Sequence, residues 1–406
     1  MPEDLPPLMT EPENGVPFVI DTDRGLARCA DALSMGEGPV AIDAERASGF
    51  RYGQRAFLVQ LKREGSGLWL IDPEAFSTLA PLQDALGEAE WILHAAGQDL
   101  PCLAEVGLSP HALFDTELAA RLAGLPRVGL GAVVEGRLGV RLAKEHSAAD
   151  WSRRPLPEDW LRYAALDVDL LIPLRNNLEA LLREDGKLEW ARAEFEHLRV
   201  TPTTGAPLDA RWRKTSKLSR LKSPRKLAIL RELWMTRELF AQSKDVAPGH
   251  VLPDSALVAA AEASPRTVPQ LLSVDGFHGR AAKRQAPRWL HAIQTGAKTQ
   301  ELPEMRLPAS GPPAPRLWRD RNPLAFRQYR TARQWIADRA EALNMMPEVL
   351  LTPAVLKAVC WEPPEKIDLN TVSEALRNQG ARAWQIEQCA AVLTVALLDP
   401  DPLESL

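Results

Sequence analysis

The sequence places two carboxylates side by side at the end of an apolar segment. In "PVAIDAERASG", residues 39–49, Asp43 and Glu45 are separated by one residue and followed by Arg46. Val40 and Ile42 favour a buried strand, and side chains two residues apart on a strand share a face. Adjacent negative charges repel each other unless a cation binds between them. The pair therefore indicates a metal site.

Two further segments could bring carboxylates to the same place. Asp99, in "ILHAAGQDLPCL", follows a predicted strand at the start of a helix, where an aspartate can equally serve as an N-terminal helix residue. In "LRYAALDVDLL", Tyr163 and Asp167 are four residues apart and share one helix face. Asp169 points elsewhere on that helix, and we expect it to be solvated.

Carboxylates that converge at one edge of a sheet suit magnesium or manganese, because both cations prefer oxygen ligands. Two such ions can activate a water and stabilise the leaving oxygen in phosphodiester cleavage. The expected cofactors are therefore two divalent metal ions, Mg²⁺ or Mn²⁺.

The pattern of the chain predicts the elements that position these residues. "PVAIDAE", "RAFLVQL" and "GLWLID" read as the strands of a β-meander, followed by a helix around residues 74–86 and a fourth strand, "WILHA". "DLPCLAEV" reads as a short helix and "ALFDTELAARLAG" as a strand that runs into a helix. After Gly129 the pattern is helical. This order predicts an α/β domain followed by all-α domains.

The helical half contains a repeat with an offset of 99 residues. Ser223-Pro224 matches Asn322-Pro323, and each pair combines a helix N-cap with proline at the first helical position. The other matched positions are Pro248, Leu252, Leu257 and Pro265 with Pro347, Leu351, Leu356 and Pro364. We therefore expect two helical domains of one type, joined by a Pro-rich linker.

Charge is divided unevenly along the chain. Residues 1–200 hold 20 Lys and Arg against 33 Asp and Glu, whereas residues 201–406 hold 29 against 21. The densest basic run, residues 211–226, has eight cations and no acid. This division suits a chain that binds metal cations with one half and a polyanion with the other, although solvated helix faces would account for it equally well.

Composition limits the class of protein. At 406 residues the chain exceeds one typical domain, and its four cysteines form no CxxC pair, which favours a reducing compartment. The acidic, Pro-rich start shows no signal peptide, and no apolar run is long enough to cross a membrane. We expect a cytoplasmic protein.

The motifs together resemble ribonuclease D, in the Tyr-bearing subgroup of the DEDD exonuclease superfamily. "AIDAE", "LHAAGQDL" and "YAALDVDLL" carry the resemblance, with "DTELAARLAG" and "AKEHSAADWSRRPLPEDWLRYAALD" between the last two. The helical repeats resemble tandem HRDC domains, through "RELWMTRELFAQSKDVAPGHVLPDSALV" and "GFHGRAAKR" in the first. The second repeat is the weaker match, with "NQGARAWQ" in place of its turn.

The resemblance implies an α/β RNase H-like catalytic domain, a mixed sheet flanked by helices, followed by two all-α HRDC-like domains. The expected divisions are a disordered N-terminus at 1–15, an exonuclease domain at 16–205, helical domains at 211–297 and 318–406, and the linker at 298–317. It also implies that four carboxylates bind the metals while Tyr163 holds the attacking water. These carboxylates are Asp43, Glu45, Asp99 and Asp167.

Other residues have two interpretations each. Lys144, Trp151 and Arg154 could contact phosphate or base, but each could be structural, and Trp151 could belong to the core. His94 is more readily a satisfied strand-end histidine than a group that orients a ligand, and Asp115 more readily orients the site or caps its helix than binds metal.

The implied activity is metal-dependent 3′→5′ hydrolysis of RNA to 5′-mononucleotides, with tRNA precursors and other structured RNAs as partners of a monomeric enzyme. Because Arg46 replaces an aromatic residue common in the family, stacking on the terminal base is in question. Two alternatives stay open. One is a 3′→5′ DNA exonuclease, and the other is a non-catalytic RNA-binding module with a degenerate site.

Overall fold

A computed structural model describes residues 5–143, 149–201, 208–307 and 311–402. The strands are β1 Leu8–Met9, β2 Val19–Ile20, β3 Glu37–Arg46, β4 Ala56–Glu64, β5 Gly67–Ile71, β6 Glu90–Leu93, β7 Ala112–Asp115 and β8 Arg141–Leu142. The helices of the first half are α1 Asp23–Met35, α2 Ala80–Leu86, α3 Leu100–Glu105, α4 Thr116–Leu122, α5 Leu130–Leu138, α6 Glu158–Asp169, α7 Leu171–Glu184 and α8 Leu188–Val200.

The rest of the described chain is helical. Its helices are α9 Leu208–Arg211, α10 Pro224–Lys244, α11 Pro248–Val251, α12 Asp254–Ala263, α13 Val268–Leu272, α14 Arg280–Lys298, α15 Trp318–Arg321, α16 Pro323–Ala342, α17 Pro347–Leu350, α18 Pro353–Trp361, α19 Leu369–Asn378 and α20 Ala383–Leu398. No described helix combines the length and the apolar composition that crossing a bilayer requires.

The first half of the chain, residues 16–205, which the resemblance predicts to be catalytic, is built on a six-stranded mixed sheet with strand order β2-β5-β4-β3-β6-β7. β3, β4 and β5 form the antiparallel meander that the sequence predicts, while β3 pairs with β6 in parallel. Val40, Ala41 and Ile42 of β3 are fully buried, because helices cover both faces of this central strand. α6 packs across β3, β4 and β5, and it thereby brings its own polar residues to the end of β3.

The repeat in the helical half is confirmed by the element boundaries. α10, α11 and α12 begin at residues 224, 248 and 254, and α16, α17 and α18 begin at 323, 347 and 353. The matched caps are also formed: Ser223 accepts a hydrogen bond from the backbone N–H of Lys226, and Asn322 accepts one from Ala325.

The structure corrects two expectations. Leu8–Met9 of the N-terminal segment, predicted to be disordered, pair in parallel with Arg141–Leu142, which also interrupt the helical pattern after Gly129. The helix expected at 74–86 is divided into a 3₁₀ turn, Pro73–Ala75, and α2. Pro81 has no N–H to donate within a continuous helix, and it lies instead in the first turn of α2, where that N–H would have no partner.

Buried apolar residues form separate cores. The largest joins the sheet and helices of the catalytic half to the second helical domain, and it runs from Leu26 to Leu397. The first helical domain has its own core, from Trp212 to Ile293. A small third core, which includes Leu58, Trp151 and Ala164, packs α6 against the sheet beside the carboxylates.

Candidate active site

Three of the predicted carboxylates converge. One oxygen each of Asp43, Glu45 and Asp167 lies within 4.8 Å of the others, which is close enough for one cation to bind all three. Asp43 and Glu45 alternate with the buried Ala44 on β3, and Asp167 reaches them from α6. Tyr163 lies one helical turn before Asp167, and its hydroxyl donates a hydrogen bond to the Asp167 carboxylate.

Asp99 approaches the cluster from a turn that Asp115 holds in place. Between β6 and α3 the chain passes through Ala95 in the left-handed region, with φ 61°. The Asp115 carboxylate accepts hydrogen bonds from the N–H groups of Ala95 (3.1 Å) and Ala96 (2.8 Å), and it also accepts two from the first turn of α4. Asp115 therefore has both expected roles, because it caps α4 and orients the segment that carries Asp99.

The carboxylates lie in a partly buried site with little positive charge. Burial, opposed only in part by the N–H of Ala44 and by Arg46, raises the pKa of Asp43 to about 6. Burial and then the neighbouring Asp43 raise the pKa of Asp99 to about 8, although Arg46 lies 3.3 Å from it. Burial, followed by the other carboxylates, also raises the pKa values of Glu45 and Asp167. The cluster therefore attracts positive charge, in the form of either protons or cations.

This donor set fits a hard divalent cation. Every candidate ligand is a carboxylate oxygen, and magnesium and manganese bind such oxygens in proteins. Burial and the neighbouring carboxylates also raise the pKa of the Tyr163 hydroxyl, which keeps its proton at neutral pH and can orient a water without acting as a base.

A cavity of about 310 Å³ opens beside Glu45. Its lining includes Arg46, Ser48, Phe50 and Gln54. Arg46 is held by the carbonyl of Gln98, to which its Nη1 donates at 2.7 Å, so its guanidinium stays at the site. Phe50 is an exposed aromatic ring on this rim that sequence reasoning did not single out.

The three predicted substrate contacts have different surroundings. Lys144 lies outside the described residues. Trp151 is fully buried against Trp160 and Tyr163, so it packs behind the site. Arg154 donates to both carboxylate oxygens of Asp72, at 2.5 and 2.6 Å, and to the carbonyl of Phe57. These contacts favour the structural interpretation of Trp151 and Arg154, while a role in RNA binding stays a prediction.

His94 and Asp169 both have hydrogen-bond partners within the protein. His94 Nδ1 lies 2.9 Å from the hydroxyl of Thr116, and burial lowers its pKa to about 4, as a satisfied neutral histidine requires. Asp169, expected to be solvated, is instead buried and accepts a hydrogen bond from Lys62 at 2.6 Å. The correction arises because Lys62 comes from β4, far away in sequence.

Three family models match the chain. Residues 17–183 match the 3′-5′ exonuclease domain, residues 226–293 the HRDC domain, and residues 311–397 the 3′ to 5′ exonuclease C-terminal domain. The second helical domain, predicted to be HRDC-like, thus matches the model of the 3′ to 5′ exonuclease C-terminal domain.

Solved structures agree with this assignment. A protein from Bifidobacterium adolescentis is 38% identical, with a TM-score of 0.89 over 97% of this chain and 100% of that chain. Escherichia coli RNase D, an exoribonuclease involved in structured RNA processing, is 27% identical, with a TM-score of 0.66 over 89% of this chain and 97% of that chain.

Curated relatives define the family. Ribonuclease D of Sphingobium indicum is 32% identical over 268 residues, which are 64% of this chain and 68% of that protein. Ribonuclease D of Pseudomonas paraeruginosa is 30% identical over 325 residues, 79% of this chain and 83% of that protein. The chain carries a carboxylate cluster suited to divalent cations and matches the exonuclease and HRDC domain models, and it belongs to the ribonuclease D family of 3′→5′ exoribonucleases.

Proposed function

We propose that Asp43, Glu45, Asp99 and Asp167 hold two divalent cations, magnesium or manganese, with which the enzyme hydrolyses RNA phosphodiesters. The observation that carries the proposal is the approach of the Asp43, Glu45 and Asp167 oxygens to within 4.8 Å of one another in a partly buried site. Burying like charges together costs stability, and this cost is offset when cations bind.

When bound, the cations supply the Lewis acidity that activates a water and stabilises charge on the phosphate and the leaving oxygen. The side chains of the site do the positioning. Tyr163, protonated and fixed by its hydrogen bond to Asp167, orients the attacking water. The water oxygen joins the phosphorus, the 3′ oxygen of the preceding nucleotide leaves, and a 5′-mononucleotide is released.

The first helical domain is the part of the chain best suited to hold the RNA backbone. Residues 211–297 carry 16 Lys and Arg against 6 Asp and Glu. Part of the basic run at 211–226 is used internally, because Arg213 donates to the carbonyl of Glu304, Arg220 pairs with Glu262, and Arg225 donates to the carbonyl of Thr299. Phosphate contacts are therefore expected on another element of this domain.

α14 supplies them. It has no acidic residue, and four of its cations are exposed and form no ion pair within the described residues: Arg280, Lys283, Arg284 and Arg288. α14 runs antiparallel to α10, since Gly296 lies against Ile229 and Trp289 against Phe240. Its first turns are therefore near the C-terminal end of α10, where Asp245 accepts hydrogen bonds from Arg55 and the N–H of Ala247 donates to the carbonyl of Phe50 on the rim of the cavity. Phosphates bound there would lead toward the cavity beside Glu45.

Several finer points belong to the same proposal. The substrates are the 3′ ends of tRNA precursors and other structured RNAs, and the enzyme works as a monomer. The domain boundaries are 16–205, 211–297 and 318–406, as the sequence predicts. All four cysteines are free and buried, which agrees with the expected reducing cytoplasm.

A digest of end-labelled RNA tests the proposal. With Mg²⁺ or Mn²⁺, a 5′-labelled RNA should shorten progressively, and a 3′-labelled RNA should lose its label at once as a mononucleotide. Chelator or Asp43→Asn should abolish both, and Tyr163→Phe should lower kcat by roughly 10²-fold with little change in KM. Cleavage by Asp43→Asn at the wild-type rate would refute the assignment of the site.

A further inference from the structure

Gln60 lies next to the carboxylate cluster in the sheet. It is directly opposite Asp43 in the antiparallel β3–β4 ladder. Residues paired across two strands project to the same face, with Cβ atoms about 4.5–5.5 Å apart. The amide of Gln60 and the carboxylate of Asp43 are therefore close neighbours on one face.

That face is the one that α6 covers. Leu58, two residues before Gln60, packs in the small core with Ala164 of α6. Lys62, two residues after it, donates to Asp169 at the end of α6. Gln60 thus lies under α6, on the face from which Asp167 reaches Asp43.

The amide of Gln60 is buried without a partner. Its side chain has no exposed area, and neither Nε2 nor Oε1 has a hydrogen-bond partner among residues 5–143, 149–201, 208–307 and 311–402. A buried polar group without a partner destabilises a protein, whereas leucine at this position would avoid that loss. The presence of a glutamine here therefore points to a role at the neighbouring site.

We propose that Gln60 is a positioning residue for the metal ligand Asp43. When a divalent cation draws Asp43 into its ligand set, Nε2 of Gln60 donates a hydrogen bond to the carboxylate oxygen that does not face the cation. This bond fixes the orientation of the carboxylate, as partners of metal ligands commonly do. The inference rests on the proposed function, since it requires cations at the carboxylate cluster.

Mn²⁺ titration of the full-length, chelator-treated protein by calorimetry tests the inference, together with thermal unfolding without metal. Gln60→Leu should lower the affinity for Mn²⁺ by roughly 10- to 100-fold. Its melting temperature without metal should equal or exceed that of the wild type. Gln60→Met, with an unbranched side chain of similar length, is a second variant that should behave in the same way.

Gln328→Leu is the matched control. Gln328 is also buried, but it lies in the second helical domain and donates to the carbonyl of Leu397 at 2.7 Å. Its replacement should lower the melting temperature and leave the affinity for Mn²⁺ unchanged.

Wild-type affinity for Mn²⁺ in both Gln60 variants would overturn the inference. So would a loss of affinity accompanied by a lower melting temperature in the absence of metal, because that would make Gln60 a structural residue. Asp43→Asn separates the two proposals. If it binds Mn²⁺ as tightly as the wild type, the proposed metal site itself fails, whereas weaker binding by Asp43→Asn alone refutes only the role of Gln60.

Discussion

The two helical domains share a pattern of helices but are attached to the catalytic half by different kinds of contact. The second shares the main apolar core, where Trp190 stacks on Trp384 with ring centroids 5.0 Å apart. The buried Glu194 accepts hydrogen bonds from Arg382 at two oxygens and from Trp384 Nε1. This interface is largely apolar, and the carboxylate buried in it is paired.

The first helical domain has its own core and meets the catalytic half through polar groups near the surface. Asp245, at the end of α10, accepts two hydrogen bonds from Arg55, at 2.9 and 2.8 Å, and lies 3.5 Å from Arg51. The N–H of Ala247 donates to the carbonyl of Phe50 on the rim of the cavity. These contacts connect the domain to the loop that borders the active site.

The two helical domains also differ in net charge. Residues 211–297 hold 16 Lys and Arg against 6 acids, whereas residues 318–406 hold 10 against 12. The second helical domain thus shares its core with the catalytic half, whereas the first carries the positive charge suited to RNA.

The largest expected effect concerns the apolar interface. Glu194→Ala leaves Arg382 and the Trp384 N–H without their partner, and breaking a buried pair costs about 3–5 kcal/mol. Urea denaturation should show that loss in one transition, because the two parts share a core. A second transition, with the catalytic domain unchanged, would mean that the second helical domain folds separately.

The next largest expected effect concerns the carboxylates of the catalytic site. A carboxyl whose pKa is raised on folding binds protons more tightly in the native state, so stability falls as pH rises from its unfolded to its folded pKa. For Asp99 this range extends from about 4 to about 8. Metal-free protein should therefore be more stable at pH 6 than at pH 8, by about 1–3 kcal/mol.

Thermal unfolding in chelator at both pH values measures this difference. Asp99→Asn should reduce it, with the other raised carboxyls of the cluster accounting for the remainder, while Asp245→Asn, at the polar interface, should preserve it. Equal stability of the wild-type protein at pH 6 and pH 8 would show that Asp99 is ionised throughout this range.

A third prediction concerns the division of charge. Replacing Arg280, Lys283, Arg284 and Arg288 of α14 with glutamine should weaken binding of single-stranded RNA. It should also reduce the log–log salt slope by about 0.7 for each phosphate that the variant no longer neutralises. The control replaces four exposed arginines of the second helical domain: Arg319, Arg321, Arg333 and Arg377.

RNA binding at several salt concentrations, in Ca²⁺ or chelator to prevent cleavage, decides between these surfaces. If the control variant loses as much slope as the α14 variant, RNA is not bound preferentially by the first helical domain.

The smallest expected effect concerns the polar interface. Asp245→Ala removes a partly exposed ion pair, and such pairs contribute about 1 kcal/mol or less. The loss should shrink further as salt is added, since exposed charges are screened. If urea denaturation shows that Asp245→Ala lowers the free energy of unfolding as much as Glu194→Ala does, the two interfaces do not differ in strength.

Local patterns explain which site residues were predictable. Asp43 and Glu45 follow from strand alternation, and Tyr163 and Asp167 from helical spacing, because each pair lies on one element. Gln60 carries no such signal, since its importance depends on the register between β3 and β4.

Long-range pairing explains what the sequence did not reveal. Asp169 accepts a hydrogen bond from Lys62, which is 107 residues away in sequence, and Glu194 accepts one from Arg382, which is 188 residues away. The 99-residue repeat correctly predicted the helices that begin at the matched caps, at residues 224 and 323, yet it contained no indication that the two domains would attach differently. Attachment depends on which side chains meet after folding.

Two aspartates of α6 that are two residues apart allow a decisive test of the metal site. Asp167 belongs to the carboxylate cluster, whereas Asp169 pairs with Lys62. Melting temperatures of chelator-treated protein should be measured with increasing Mn²⁺ for the wild type, Asp167→Asn and Asp169→Asn. We expect Mn²⁺ to stabilise the wild type and Asp169→Asn, and Asp167→Asn to start at a higher melting temperature but to respond weakly. An undiminished response of Asp167→Asn to Mn²⁺ would show that the carboxylate cluster is not the metal site.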